Sequence, residues 1–250
     1  MIAVIEYLSK EYQIDLSKPI NISIPLKQGE SNVNAWYIEP PKISPVQIGD
    51  WIGSVKQGGE VNFNQIHFNP HSHCTHTETV GHISNGEYSI HKQLTQFFFL
   101  AEVITISPQS KNNDWVITKQ QLQNILKNKK RDAIVIRTLP NLSNKKSMNY
   151  SNTNPMYMLE EAASYLKEKK VKHLLIDLPS VDKEKDQGAL LAHKAFWNTS
   201  EEIRTDATIT ELIYVPGKVV DGTYFLNIMV APFENDAAPS KPVLYKILNS

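Results

Sequence analysis

The stretch that most constrains this chain runs from Asn69 to Ile83 and reads Asn-Pro-His-Ser-His-Cys-Thr-His-Thr-Glu-Thr-Val-Gly-His-Ile. It holds His71, His73, His76 and His82, four of the eight histidines, together with Glu78 and the single cysteine, Cys74. Imidazoles and carboxylates are the usual protein ligands of zinc and similar divalent ions. From Thr75 onward the pattern alternates. Strand side chains repeat every second residue, so Thr75, Thr77 and Thr79 face one side and His76, Glu78 and His82 the other. Three threonines suit an extended backbone. The plain alternative, a polar surface loop rich in histidine, does not account for this density and phase.

Composition narrows the function classes. The chain has 250 residues, with 26 basic and 26 acidic side chains. That balance gives no basic excess for nucleic acid and no polybasic tail for a membrane. One cysteine excludes an intrachain disulfide and suits a reducing cytosol. The N-terminus lacks the pattern of a signal peptide, and the longest apolar run, Phe97 to Val103, is broken by Glu102 and is too short to span a bilayer. The expectation is a soluble, cytoplasmic, globular protein whose residues 1–250 form one domain.

In chain order, Met1–Tyr7 and Tyr12–Ile14 read as a hairpin, followed by Asp15-Leu16-Ser17 and an apolar run, Ile20 to Leu26. Trp36, Tyr37 and Trp51 lie in a Pro- and Gly-rich region, where they either wall a substrate pocket or close over the core edge. Phe97–Ile106, Ala133–Arg137 and Val171–Asp177 read as buried strands. Between them, Thr118-x-x-Gln121 predicts a capping box opening a short helix, and Met156–Lys169 has helical spacing. Helix then strand, twice, predicts helices covering a sheet. Pro140–Pro155 is a long polar loop. Gly188–Trp197 predicts a short helix carrying His193, and Glu211-Leu212-Ile213 the beginning of a strand.

Thr75-His76-x-Glu78-x-x-x-His82 resembles the second half of the pattern His-x-Gly-Thr-His-x-Asp-x-Pro-x-His of the metal-dependent cyclase and kynurenine formamidase family. Asp15-Leu16-Ser17 resembles that family's opening. Asp177-x-Pro179-Ser180-x-Asp182 resembles a second signature, whose aspartates are read here as supporting groups or turn formers. His193 and Glu211 match the downstream histidine and glutamate that complete the family's metal site. The chain departs from the pattern at Ser72, Cys74, Glu78 and Val80.

The resemblance implies a swivelling β/β/α-type α/β fold, with a mixed, curved sheet and few outer helices. It implies a homodimer or homotetramer with a small-molecule substrate. It also implies a divalent metal, zinc ahead of manganese, held by His71, His76, Glu78, His193 and Glu211, with His82 as general acid/base. Trp36 and Trp51 are the candidate substrate-binding residues. The entry to the motif stays open. The family's first histidine falls on Ser72, so His71 reaches the site only past a one-residue bulge, and His73 only if the backbone twists near Cys74. Pro70 favours His71. Cys74 either ligates or fills the space of a glycine. One metal or two is open. His82 lies roughly 20 Å beyond His76 in an ideal strand, so the chain must bend at Val80-Gly81 for both to share a site. The expected activity is hydrolysis of a non-peptide carbon–nitrogen bond in an aryl formamide or cyclic amide. The competing readings are a metal-binding protein of the same fold that has lost catalysis, and an α/β binding protein without metal.

Overall fold

The computed structural model describes residues 1–249. Seven strands close into one mixed ring: β1 (His76–Glu78), β2 (Phe98–Ile106), β3 (Ala133–Thr138), β4 (His173–Ile176), β5 (Thr208–Glu211), β6 (Gly222–Val230) and β7 (Ala237–Asn249). Their order is β1-β5-β4-β3-β2-β6-β7, and β7 pairs with β1 to complete the circle. β2, β3, β4 and β5 run parallel. Each is joined to the next through a helix: α1 (Lys119–Leu126), α2 (Glu160–Glu168) and α3 (Leu191–Trp197). Parallel neighbours need such crossovers, and the helices cover one face of the sheet. The curved mixed α/β sheet anticipated from the sequence is therefore present, and its curvature goes as far as closure.

Alternation along the strands divides the core. Ile104, Ile106, Ile134, Ile136, Leu174 and Ile176 pack toward the helices. Their neighbours Val103, Ala133, Val135 and Leu175 pack on the opposite face with Leu226 and Leu244. Burial on both faces explains why these strands read as continuous apolar runs. The capping box at α1 is formed, with Thr118 and Gln121 bonding reciprocally. Outside the ring, the N-terminal hairpin Ile2–Tyr7 and Lys10–Asp15 adds to β7. An arm spanning 42–67 makes two small antiparallel pairs of its own.

One strand assignment is corrected. Glu211 closes a strand, where the sequence reading had it open one. The following residue, Leu212, has φ +53° and is hydrogen-bonded to Leu178, so the extended run stops there although Leu212-Ile213 is apolar. The consequence is functional. Glu211 stands at the carboxyl end of a parallel strand, where α/β folds gather their sites.

His173, at the start of β4, is a histidine of the other kind. It is buried, faces Phe99 with ring centroids 3.9 Å apart and meets Thr208 Oγ1 through Nδ1 at 2.9 Å. Burial, helped by Lys172, pushes its pKa from 6.5 down to about 3. The unfolded chain takes up a proton here as pH falls past 6.5 that the native state refuses until about pH 3, so stability drains away across that window. Between pH 7.5 and 5 the expected loss from this residue is about 2 kcal/mol. Urea unfolding at both pH values should show it, and His173→Gln, which keeps a partner for Thr208, should flatten that difference.

Candidate metal centre

β1 is three residues long, and its register places the site. It lies between β5 and β7, with His76 opposite Glu211 and Glu78 opposite Ile209 on one side and Ala237 on the other. Residues directly opposite in an antiparallel pair share a face. His76, Glu78 and Glu211 therefore emerge together on the helix-covered side, while Thr77 turns the other way and bonds Thr210 Oγ1 at 2.8 Å. α3 brings His193 over the same spot. Asp182 accepts the backbone N–H groups of Ala192 and His193 at the start of that helix, and its Oδ2 lies 2.5 Å from His193 Nδ1. Its role is thus to hold a helix and aim a ring. Asp177, the other aspartate of that signature, instead pairs with buried Lys145 at 2.8 Å and with Thr138.

The two ends of the motif are bent to fit. Pro70–His73 is one helical turn capped by the Asn69 side chain, so His71 enters by a helical turn in place of the anticipated bulge. His73 faces away, with Nδ1 accepting from the Asn69 N–H, and stays out of the cluster. Cys74 is buried, burial pushes its thiol up to about 12, and it belongs to none of the ligand groups formed by the described residues. Past β1, Val80–His82 forms a 3-10 turn capped by Thr79. A Cβ at Gly81 would come within 2.7 Å of the Tyr88 carbonyl oxygen, so only glycine fits this bend. The turn carries the His82 ring back onto His71, with centroids 4.2 Å apart and planes stacked.

Glu78, with no exposure to solvent, is the hub. Its Oε2 lies 3.1 Å from His71 Nδ1, 4.0 Å from His76 Nε2 and 3.9 Å from His82 Nε2, and its Oε1 lies 3.2 Å from His193 Nε2. Glu211 reaches His76 at 3.5 Å and His193 at 3.7 Å, while its Oε1 also accepts the Val181 N–H. The five residues expected as ligands are therefore together. So is Asp236, which sequence reading missed: its Oδ2 is 2.8 Å from His71 Nε2 and 3.4 Å from His82 Nδ1. The one signal for it was an acid immediately before the closing strand. Trp36 lines the cavity above the cluster, with Ile38, Ser72, Ser180 and Leu190. Trp51 does not; it sits on the arm at 38% exposure, edge-on to Phe63.

Two observations test whether these groups suit a metal. His76 Nε2 and Glu78 Oε2 are both buried and lack any hydrogen-bond partner, although they face each other. Unpaired buried polar atoms are costly, so such a pair marks a place built for another charge. The spacing agrees. Tetrahedral bonds near 2.1 Å separate ligand atoms by roughly 3.4 Å, against 3.1–4.0 Å here. Among the described residues three overlapping ligand groups form: His71, His76, Glu78; Glu78, His82, His193; and His71, His82, Asp236. The electrostatics also call for a cation. Burial works against a charged His71, but its bond to Asp236 and the nearby charge of Glu78 outweigh it and carry the imidazole up to about 10. Burial likewise opposes a charged His193, and Asp182 and Glu78 raise it to about 10. Burial would raise Glu78, yet His82, His193 and His71 hold it well below the ordinary range. Protons thus sit where a metal ion would, and the two compete.

These features define a mixed α/β protein with a His/carboxylate centre at the carboxyl edge of a closed sheet. The family model described as "Putative cyclase" matches residues 14–183, and the chain belongs to that family. His193, Glu211 and Asp236 lie beyond the matched segment, so it is the fold that brings them in. Solved structures share the fold. A "predicted metal-dependent hydrolase" from Bacillus stearothermophilus is 18% identical, with TM-score 0.64 over 91% of this chain and 98% of that one. A "potential metal-dependent hydrolase with cyclase activity" is 18% identical, with TM-score 0.66 over 91% and 97%. Isatin hydrolase A from Labrenzia aggregata, bound to benzyl benzoate, is 12% identical, with TM-score 0.64 over 91% and 93%. No curated protein matches the sequence.

Because His76 and His193 meet Glu78 from two different elements, losing either should open the centre. His76→Ala and His193→Ala are each expected to lower the divalent metal content of the purified protein sharply, as read by elemental analysis. Cys74→Ser should leave it unchanged.

Proposed function

We propose that this protein is a metal-dependent hydrolase of non-peptide carbon–nitrogen bonds, acting on aryl formamides or on cyclic amides such as isatin. The observation that carries this reading is the orphaned pair His76 Nε2 and Glu78 Oε2 beneath a cavity of ≈ 370 Å³. The isatin hydrolases that share the fold support the substrate class. His71, His76, Glu78, His193 and Glu211 hold the ion, zinc ahead of manganese. A divalent ion in such a site polarises a substrate carbonyl and brings the pKa of a water near neutrality.

The protein's own groups do the rest. Trp36, Ile38 and Leu190 give the cavity apolar walls suited to a flat ring. Asp182 fixes His193 through Nδ1, which leaves Nε2 turned toward Glu78 and Glu211. His82 has 33% of its side chain exposed and lines the cavity beside the ligands, so a substrate can reach it. We assign it the proton transfers: taking one from the attacking water and giving one to the departing nitrogen at Nε2. His82→Ala should keep its metal and lose roughly two to four powers of ten in rate. Metal content, melting temperature and turnover on one preparation decide this. Full metal with full turnover removes His82 from the mechanism, and a wild type with full metal but no turnover on such substrates leaves the non-catalytic reading.

The proposal includes a cytoplasmic homo-oligomer. Among the described residues no helix is long and apolar enough to cross a membrane. The arm exposes Ile48, Trp51, Phe63 and Ile66, apolar surface that a second copy would cover. Light scattering at micromolar concentration should give a dimer or larger, and a monomeric mass would overturn this part.

A further inference from the structure

Asp236 has a place in the centre that the ligand set does not explain. It stands one residue before Ala237, which pairs with Glu78 across β7 and β1. Its own carbonyl oxygen accepts the Thr79 N–H at 3.0 Å, so strand register fixes its backbone against the motif. From there a single carboxylate oxygen, Oδ2, meets two rings: His71 through Nε2 at 2.8 Å and His82 through Nδ1 at 3.4 Å. The two imidazoles lie stacked, so both present an edge to the same acceptor. Asp236 is a quarter exposed on its side chain and takes no part in the Glu78 contacts.

An ionised carboxylate only accepts hydrogen bonds, so the nitrogens facing Asp236 are the ones that carry hydrogen. Without an ion a proton also occupies the side facing Glu78; when a divalent ion displaces it, the opposite nitrogen of each ring is the one left with a lone pair. For His71 that nitrogen is Nδ1, 3.1 Å from Glu78, and for His82 it is Nε2, 3.9 Å from Glu78. Both lone pairs therefore point at the centre. We infer that Asp236 is a positioning residue that sets the tautomer of two histidines at once, presenting His71 Nδ1 as a metal ligand and His82 Nε2 as the proton-transfer atom. A metal-ligating histidine is normally held in this way by a carboxylate or carbonyl on its other nitrogen. What is particular here is that one oxygen serves both a ligand and the acid/base, which ties the binding of the ion to the readiness of the neighbouring ring. The inference rests on the metal-centre reading for His71 and on the hydrolase reading for the role of His82.

The test uses the full chain loaded with zinc. Long-range proton–nitrogen spectra of the histidine rings should show hydrogen on Nε2 of His71 and on Nδ1 of His82. Asp236→Ala should weaken zinc binding 10- to 100-fold in a chelator competition and release the His82 ring into a mixture of tautomers. Asp236→Asn keeps one acceptor oxygen, so its loss should be smaller, and it carries the comparison should the alanine variant fail to fold. Wild-type zinc affinity and unchanged ring signals in these variants would overturn the inference, as would hydrogens on the opposite nitrogens of the wild type. Neither readout needs turnover. A wild type with no hydrolase activity but with the expected tautomers and zinc losses would sink the proposed reaction and leave the positioning role of Asp236 standing.

Discussion

The burial of one carboxylate organises this molecule. Glu78 is cut off from water, and a bare charge in that position would be costly by several kcal/mol. Four imidazoles stand within 4.0 Å of it. They come from a helical turn before β1, from β1 itself, from a 3-10 turn after it and from α3. Each of those pieces is shaped by the need to deliver its ring. Asn69 and Thr79 cap the two turns, and Asp182 anchors the helix. The cluster still leaves His76 Nε2 and Glu78 Oε2 without partners, so side chains alone do not balance it.

Closure of the sheet is the mechanical counterpart. A three-residue strand is short by any standard, and β1 is held because it pairs on both edges, with β5 and with β7. Thr75 extends that hold, accepting from the Ile24 N–H and donating to the Leu212 carbonyl. The parallel strands β2 to β5 form the rigid wall, buried on both faces, and the site lies along their carboxyl edge, where connecting loops are free to carry polar groups. Asp177 shows the same geometry in a structural role. It occupies a neighbouring strand end, but its oxygens are taken up by Lys145 and Thr138.

Much of this was legible in the residues because it rests on local periodicity. The buried strands, the capping box at Thr118 and Gln121, and the common face of His76 and Glu78 all follow from spacings of two or from helical spacing. Glu211 lies beside His76 and His193 but ends its strand where the sequence suggested a beginning, since Leu212 and Ile213 look like continuing strand, and nothing local reveals that Leu212 turns left-handed. Trp51 looked equivalent to Trp36 because both lie in the same Pro- and Gly-rich region. Only the tertiary structure separates them: Trp36 lines the cavity, and Trp51 lies on the arm against Phe63.

The sequence by itself determined which groups are available: a dense set of imidazoles and carboxylates in alternating phase, flanked by α/β periodicity. Tertiary structure decided which members of that set meet. It chose His71 over His73, because a helical turn at Pro70 rotates one ring inward and the other away. It folded His82 back onto the cluster, because a turn at Gly81 replaces the extended chain. It added Asp236, more than 150 positions distant in the chain from His71 and His82. Local spacing records which face a residue occupies; contacts between residues that far apart depend on sheet closure and register, which no local pattern carries.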